Sequence, residues 1–513
     1  MRENLKKAYE SSVRLREEME RWLDQSRRMD PPSRHGGGED EANYSLAWFP
    51  HYLVTRSEAV SDHFRYLRDQ LAGWVERDCH HGYEGVAEAH HGTEPFLLFL
   101  PRYLGLFPED EKAAALLEDA AHHIGNWVDG VPDWFDWEKN RFWGYHIGTQ
   151  EVNRDLGEVK EIAEHFRFIH IALAAHRMNG NQRYVDWAVR YGRRRAQMIC
   201  DAPDGPLPIA WGADAEPVMP LEATESQKQA AQAGHHVADD PLIGVECLLA
   251  SGAIYALGDL FAETREEIFR DAAKRIVEPL IDQLRDPYGD PGAAAISYYR
   301  VAFEDCEYDS RIDQRVASFP DASSRELAMV FPELQKRTWL GVGKRKDQTF
   351  WGEWDDETGN IAATKEPSTA ALTLAYQTTG DAAYAARALD QAERKLKMAR
   401  RVLRGGREHA DMGGAVCSTA AGHGRNWGWG AVTGCYGPLL LGTREIKSNV
   451  APSFHIRDDQ KKYRLPDTVL SLYREGEETR FFNGGDKPVS FSWHRMGESP
   501  RKEVLKPGEV IEA

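Results

Sequence analysis

The amino-acid sequence predicts a mainly α protein: a ring of helical hairpins carrying a small β-rich appendage at its C-terminus. Three observations carry this. Segments with apolar residues at helical spacing come in pairs. Within a pair the turn is short and built on Gly or Pro, whereas the connections between pairs are long and rich in aromatic residues. The last stretch, Lys461–Ala513, abandons the helical period for short β-prone runs separated by turns such as Asn483-Gly484-Gly485-Asp486.

In chain order, Lys6–Ser26 is a charged helix ended by Pro31-Pro32 and Gly36-Gly37-Gly38. Thr55–Arg77 places Val60, Phe64, Leu67, Leu71 and Trp74 on one stripe. Thr93–Leu106 and Glu109–Val128 form a pair turning at Phe107-Pro108. Glu158–Asn179 and Gln182–Cys200 form the next, followed by Pro241–Phe261 with Thr264–Arg285 and by Ser368–Thr379 with Ala382–Leu403. Two turns are near-copies, Asn179-Gly180-Asn181-Gln182-Arg183-Tyr184 and Thr379-Gly380-Asp381-Ala382-Ala383-Tyr384. The first helix of a pair is apolar throughout and the second amphipathic, which predicts an inner and an outer layer. Pro132–Asn153, Ala202–Ala238, Asp286–Phe319 and Gly341–Lys365 read as the long loops of one functional face. The expected division is residues 1–54 as an N-terminal helix and linker, 55–450 as the helical catalytic ring, and 451–513 as the appendage.

Composition narrows the function. The 513 residues carry a formal charge of −18 with no basic block, which argues against nucleic-acid partners and anionic membrane surfaces. No apolar run reaches the ~18 residues of a membrane span. Met1-Arg2-Glu3-Asn4-Leu5-Lys6-Lys7 has charge but no apolar core of a secretory signal, so a cytoplasmic location is expected. Six Cys without a Cys-x-x-Cys pair give no zinc framework, and neither a metal nor a cofactor is expected. The 15 Trp, 19 Tyr and 19 His concentrate in the long loops, interleaved with Asp, Glu and Gly.

The hairpin turns and the segment Gly424-Arg425-Asn426-Trp427-Gly428-Trp429-Gly430 resemble the six-hairpin toroid glycosidases and related polysaccharide lyases. The segment is similar to the Arg-Gly-Asn-Gly-Trp run that opens an inner helix of unsaturated glucuronyl hydrolases, in a different order. The resemblance covers about residues 55–450. It implies an (α/α)6-type toroid and a carbohydrate-active enzyme that cleaves a glycosidic bond, by β-elimination or hydrolysis, in an oligosaccharide or polysaccharide containing uronic acid. A sugar isomerase or epimerase on the same ring and a non-catalytic helical glycan-binding scaffold are the alternatives.

The residues that could carry chemistry fall in four clusters. Cys79–Glu94 packs four His, three Glu and Tyr83 into one loop, and offers Tyr83, Glu84, Glu88 and His91 as catalytic candidates. A carboxylate near apolar surface can act as an acid, and His as a base. Asp129–Gly148 alternates aromatics with carboxylates, a composition suited to sugar C–H faces and hydroxyls. There Trp134, Asp136, Arg141 and Trp143 are candidate binding residues, and Tyr145 with His146 a pair that can move the proton next to a uronate carboxyl. His409–Gly430 supplies His423, Arg425 and Trp427 for carboxylate binding and stacking. Phe350–Glu357 contributes Trp351 as a rim residue, and His236, before the apolar helix near Pro241, is a further catalytic candidate. Hydrolysis would draw two carboxylates from Glu84, Glu88, Glu94, Asp133 and Asp136.

Overall fold

The computed structural model describes residues 1–27, 42, 45, 48–86, 89, 92–154, 157–231, 245–284, 289–319, 325–327, 342–345, 348–364, 367–402, 465–474, 479–493 and 499–513. Its helices are α1 (Arg2–Ser26), α2 (Trp48–Thr55), α3 (Glu58–Asp78), α4 (Leu100–Leu106), α5 (Glu111–His122), α6 (Arg167–Asn179), α7 (Gln182–Asp201), α8 (Glu225–Ala231), α9 (Val245–Ala250), α10 (Ala253–Thr264), α11 (Glu267–Val277), α12 (Gly289–Ala302), α13 (Asp309–Val316), α14 (Thr369–Thr379) and α15 (Ala382–Val402).

The two-layer pattern follows from residue type. Helices α4, α6, α10 and α14 are sheathed on all sides: Leu100–Leu106, Arg167–Ala175, Ala253–Phe261 and Thr369–Thr378 are buried without interruption. Their partners bury one stripe only, Ala113, Leu117, Ala120 and Ala121 in α5 and Phe269, Ala272, Ala273, Ile276 and Val277 in α11. The two near-copied turns have the same construction. Gly180 and Gly380 end their helices at φ 73° and 71°, where a side chain would be strained. Asn181 and Asp381 then cap the next helix by accepting the N–H of Arg183 and Ala383.

The helices pack in succession from α5 to α6, α7, α11, α10, α12, α14 and α15. The N-terminal helix continues this order. It lies along α15, where Arg14 pairs with Glu393 at 3.0 Å and Asp390 at 3.1 Å. Its far end meets α2, with Trp22 against Trp48 at 4.6 Å between ring centroids and Glu20 bonded to His51 at 2.8 Å. α2 packs on α3, and α3 on α5. Thus α1, expected as an N-terminal helix with a linker, packs against the helical body at α15 and at α2.

Two other expectations change. Asp286–Phe319, read as a loop, contains α12 and α13; Ala293–Ile296, Tyr298, Tyr299 and Ala302 are buried, so the small residues there serve close helix packing. Gly341–Lys365, also read as a loop, contains strands β7 (Val342–Arg345), β8 (Gln348–Asp355) and β9 (Asn360–Thr364), joined to β6 (Arg325–Leu327) in the order β6-β9-β8-β7. The β8–β9 turn is closed by Asp355, whose carboxylate accepts Glu357 N–H and Thr358 Oγ1–H while Gly359 takes φ 65°.

The C-terminal appendage is β-rich as expected. It holds β10 (Val469–Leu472), β11 (Arg480–Asn483), β12 (Val489–Trp493), β13 (Arg501–Leu505) and β14 (Val510–Glu512), in sheets ordered β10-β11-β14 and β12-β13. Val469, Phe481, Phe491, Trp493 and Leu505 form its own small core. A core of this size needs support, which the helical body gives: Gln377 donates to Tyr473 O at 2.8 Å, Arg474 to Thr378 O at 2.8 Å and Arg480 to Gly380 O at 2.7 Å.

Trp22→Ala tests the role of α1. It removes a fully buried indole at the α1–α2 contact and is expected to cost about 3–5 kcal/mol in urea unfolding. A cost below about 1 kcal/mol would mean that α1 is dispensable.

Candidate functional site

In each hairpin the short turn lies at one end, and the long connections leave from the other. Two of those connections, the first two clusters of the sequence, are welded together. The loop after α3 closes on itself through His80 and Tyr83, which exchange backbone hydrogen bonds at 2.9 and 3.3 Å. Gly82 takes φ 84° inside this turn and His81 φ 51°, an uncommon conformation for a residue with a side chain. The second loop begins with the hairpin of β1 (Phe135–Asp136) and β2 (Arg141–Phe142), with Asp136 opposite Arg141. Asn126 holds its entry: Oδ1 accepts Trp134 N–H and Phe135 N–H at 2.9 Å each, and Nδ2 donates to Phe135 O at 2.6 Å. A second hairpin follows over residues 143–154, bridged at Ile147 and Val152. Its tip sits on the first loop. Thr149 N–H donates to Glu84 O at 3.2 Å, and the N–H groups of Gln150 and Glu151 donate to Gly85 O at 2.9 and 3.2 Å. Gly148 lies against the Gly85 carbonyl and Val86, with no room for a Cβ.

An aromatic floor supports this junction. Trp134 is fully buried, stands edge-on to Tyr83 at 4.9 Å, packs on His123 at 5.0 Å and Phe168 at 5.8 Å, and donates its indole N–H to Gly148 O at 3.3 Å. Tyr83 is buried too, donates its hydroxyl to Ala120 O at 3.1 Å, and is pushed well above its usual pKa by burial. Tyr83 and Trp134 therefore correct the sequence reading. Their rings are covered by protein, so neither offers a face to a sugar; they position the residues above them. Asp136 is likewise buried, its Oδ1 accepting the N–H groups of Glu138 and Lys139 at 3.1 Å and its Oδ2 facing Arg141 at 3.6 Å. It shapes the β1–β2 turn in place of meeting a hydroxyl.

Above this floor the candidates separate. Glu84 is exposed, His146 is half-buried, and Tyr145 is buried with its ring 4.8 Å from that of His146. Trp143 is half-buried beside the guanidinium of Arg141 at 5.0 Å. The junction thus brings Glu84 onto the loop pair that carries Tyr145, His146, Trp143 and Arg141. Glu88, His91, His236, His423, Arg425 and Trp427 lie outside the described residues; Trp351 falls in β8, its side chain outside them.

Several charged residues, one of them a sequence candidate, have internal partners. Glu94, considered as an acid, is enclosed with Arg167 at 3.1 Å. Glu161 is buried with Arg195 and accepts the Tyr191 hydroxyl at 2.9 Å. Asp259 is bonded to His170 at 2.9 Å and Arg177 at 3.3 Å; burial pushes its carboxyl up, but these two neighbours outweigh that and hold it below its usual range. Glu94 and Asp259 pair with residues of inner helix α6, whereas Glu161 ties the segment before α6 to α7. The His-rich loop also holds His81, whose Nδ1 meets Asp119 at 2.8 Å while its ring contacts His80 and His123. Its signal was present in the sequence as part of the His-rich loop, although Asp119 on α5 could not be paired with it by spacing. Among the described residues no group of His, Cys, Asp and Glu is arranged to hold a metal ion, and no helix is long and apolar enough to cross a membrane.

Neither the family models nor the curated proteins match this chain. Among solved structures, an unsaturated glucuronyl hydrolase specific for heparin is similar over 76% of this chain and 97% of its own, with a TM-score of 0.42 and 10% sequence identity.

His123 gives the site floor a pH signature. Burial, with His81 adding repulsion, pushes its pKa down to about 4 from an ordinary 6.5. Below pH ~6.5 the unfolded chain takes up a proton here that the folded chain refuses until about pH 4. Stability is therefore full above that window and falls as pH drops through it, by at most roughly 3 kcal/mol. His123→Phe is expected to flatten this part of the stability–pH curve in urea unfolding between pH 4 and 7. An unchanged slope would show that His123 is not held neutral.

Proposed function

We propose that this protein is a carbohydrate-active enzyme of the six-hairpin toroid type that cleaves glycosidic bonds in uronic-acid-containing oligosaccharides by β-elimination. The observation that carries the reading is the backbone junction between the Glu84–Gly85 loop and the 143–154 hairpin, which unites the acidic, His-rich loop with the aromatic, Arg-bearing one. Hydrolysis by a carboxylate pair draws less support. Of its five candidates Glu94 and Asp136 are engaged in buried ion pairs, leaving Glu84 and Asp133 exposed among the described residues.

In elimination, a base takes the proton on the carbon next to the uronate carboxyl. The electron pair left behind forms a carbon–carbon double bond as the bond to the glycosidic oxygen breaks. A proton is delivered to that oxygen. His146 and Tyr145 are the adjacent groups suited to these two transfers. A guanidinium opposite the carboxylate stabilises the charge that develops as the proton leaves, a term often as large as the acid–base contribution. Arg141 and Arg425 are the proposed candidates, with Trp143 and Trp427 as stacking faces. A cytoplasmic location and small oligosaccharide substrates go with this reading.

The test is to incubate the protein with uronate-containing oligosaccharides and follow the absorbance of the unsaturated uronate. Absorbance should appear with wild type and fall by about 10²–10⁴ in rate in His146→Ala and Tyr145→Phe, with melting temperatures retained. New reducing ends without absorbance, or loss of absorbance from a substrate already unsaturated, would replace elimination by hydrolysis. Full activity in both variants would remove the pair from the mechanism.

A further inference from the structure

We propose that Arg154, with Trp143 and Arg141, forms an anion subsite that holds a sugar through its carboxylate. The inference rests on the proposed function for the identity of the sugar; the subsite itself rests on geometry. The 143–154 hairpin sets its two ends side by side, with Gly144 against the Asn153 carbonyl and Ile147 bridged to Val152. The guanidinium of Arg154 consequently lies 4.5 Å from the centroid of the Trp143 ring, which also has Arg141 at 5.0 Å. The two charges are thus within about one Debye length, ~10 Å, of each other. Each is attracted by the indole but repelled by the other, so an anion received there gains from both.

The surrounding groups leave that role open. Arg154 is exposed, and among the described residues it has no carboxylate within ion-pair distance. Other exposed Arg side chains do: Arg193 pairs with Glu266, and Arg311 with Asp282. Arg141 is almost wholly buried, faces Asp136 at 3.6 Å and donates to Phe142 O at 2.7 Å, yet among the described residues its Nε and the Nε1 of Trp143 are buried donors without an acceptor. Lys160 adds a third cation, its Nζ bonded to Arg154 O at 2.6 Å. A concentration of positive charge on one indole is conspicuous in a chain of net charge −18. A guanidinium fork takes a carboxylate bidentately, and an indole beside it takes the apolar face of a sugar ring. Trp143 stands three positions before His146 in the same hairpin, so one element carries both the subsite and the proposed acid–base pair.

Calorimetric titration of a glucuronate-containing disaccharide, its neutral glucose counterpart and inorganic sulfate tests this without relying on turnover. Wild type is expected to prefer the uronate to both others. Arg154→Gln should weaken uronate binding by about tenfold or more while leaving the neutral sugar within about twofold. Arg154→Lys should retain part of the preference, since it keeps the charge and loses the fork. Equal affinity of wild type for uronate and neutral sugar, unchanged uronate affinity in Arg154→Gln, or sulfate binding as tightly as the uronate would each overturn the inference. The two proposals fail separately. Uronate turnover with Arg154→Gln binding like wild type sinks the subsite alone, whereas Arg154-dependent binding with no bond cleavage sinks the proposed reaction and leaves the subsite standing.

Discussion

The close approach of two backbones, Gly85 under Gly148, is the constraint on which the candidate site depends. Three amide N–H groups, from Thr149, Gln150 and Glu151, converge on the Glu84 and Gly85 carbonyls. Hydrogen bonds of this kind are individually worth only about 1 kcal/mol, but they fix register as well as distance. Any side chain at position 148 would force the loops apart. The indole N–H of Trp134 completes the arrangement from below by holding the Gly148 carbonyl. Two loops separated by an entire helical hairpin in sequence thereby act as one surface, on which Glu84 and the Trp143–His146 segment are carried together.

Beneath that surface the helical body is tied by buried ionic groups. Glu94–Arg167 and Glu161–Arg195–Tyr191 lie wholly inside, and Asp259 joins α10 to α6 through His170 and Arg177. Such pairs add little net stability over apolar packing, but removing one partner strands a buried charge at about 3–5 kcal/mol. They make the relative placement of helices specific, and with it the placement of the loops those helices emit. The consequence for chemistry is direct. Glu94 and Asp136, which look available in the sequence, are committed to the scaffold.

The helical hairpins were legible because they rest on local rules: an uninterrupted apolar helix, a left-handed Gly, an Asn or Asp cap, and an amphipathic helix. The capped turns at Gly180 and Gly380 match in structure as they do in sequence. The site was legible only in part. Composition singles out two loops that the structure joins, yet it does not say which aromatic residues are covered: Trp134 and Tyr83, read as binding and catalytic candidates, are buried beneath the junction. Pairings across the fold, such as His81 with Asp119 or Arg154 with Trp143, have no signature in spacing because their partners come from different elements or from opposite arms of a hairpin. Gly341–Lys365 reads as a site loop because Phe350–Asp355 lacks the polar–apolar alternation of a strand; cross-strand pairing, which spacing does not reveal, makes it one.

The proposed function puts sugar chemistry on the surface formed by the Gly85–Gly148 junction. The most direct measurement is a crystal structure of the protein with a uronate-containing disaccharide bound. The uronate unit is expected on that surface, with Trp143, His146 and Glu84 within contact distance. Sugar density elsewhere, with the junction left bare, would contradict it.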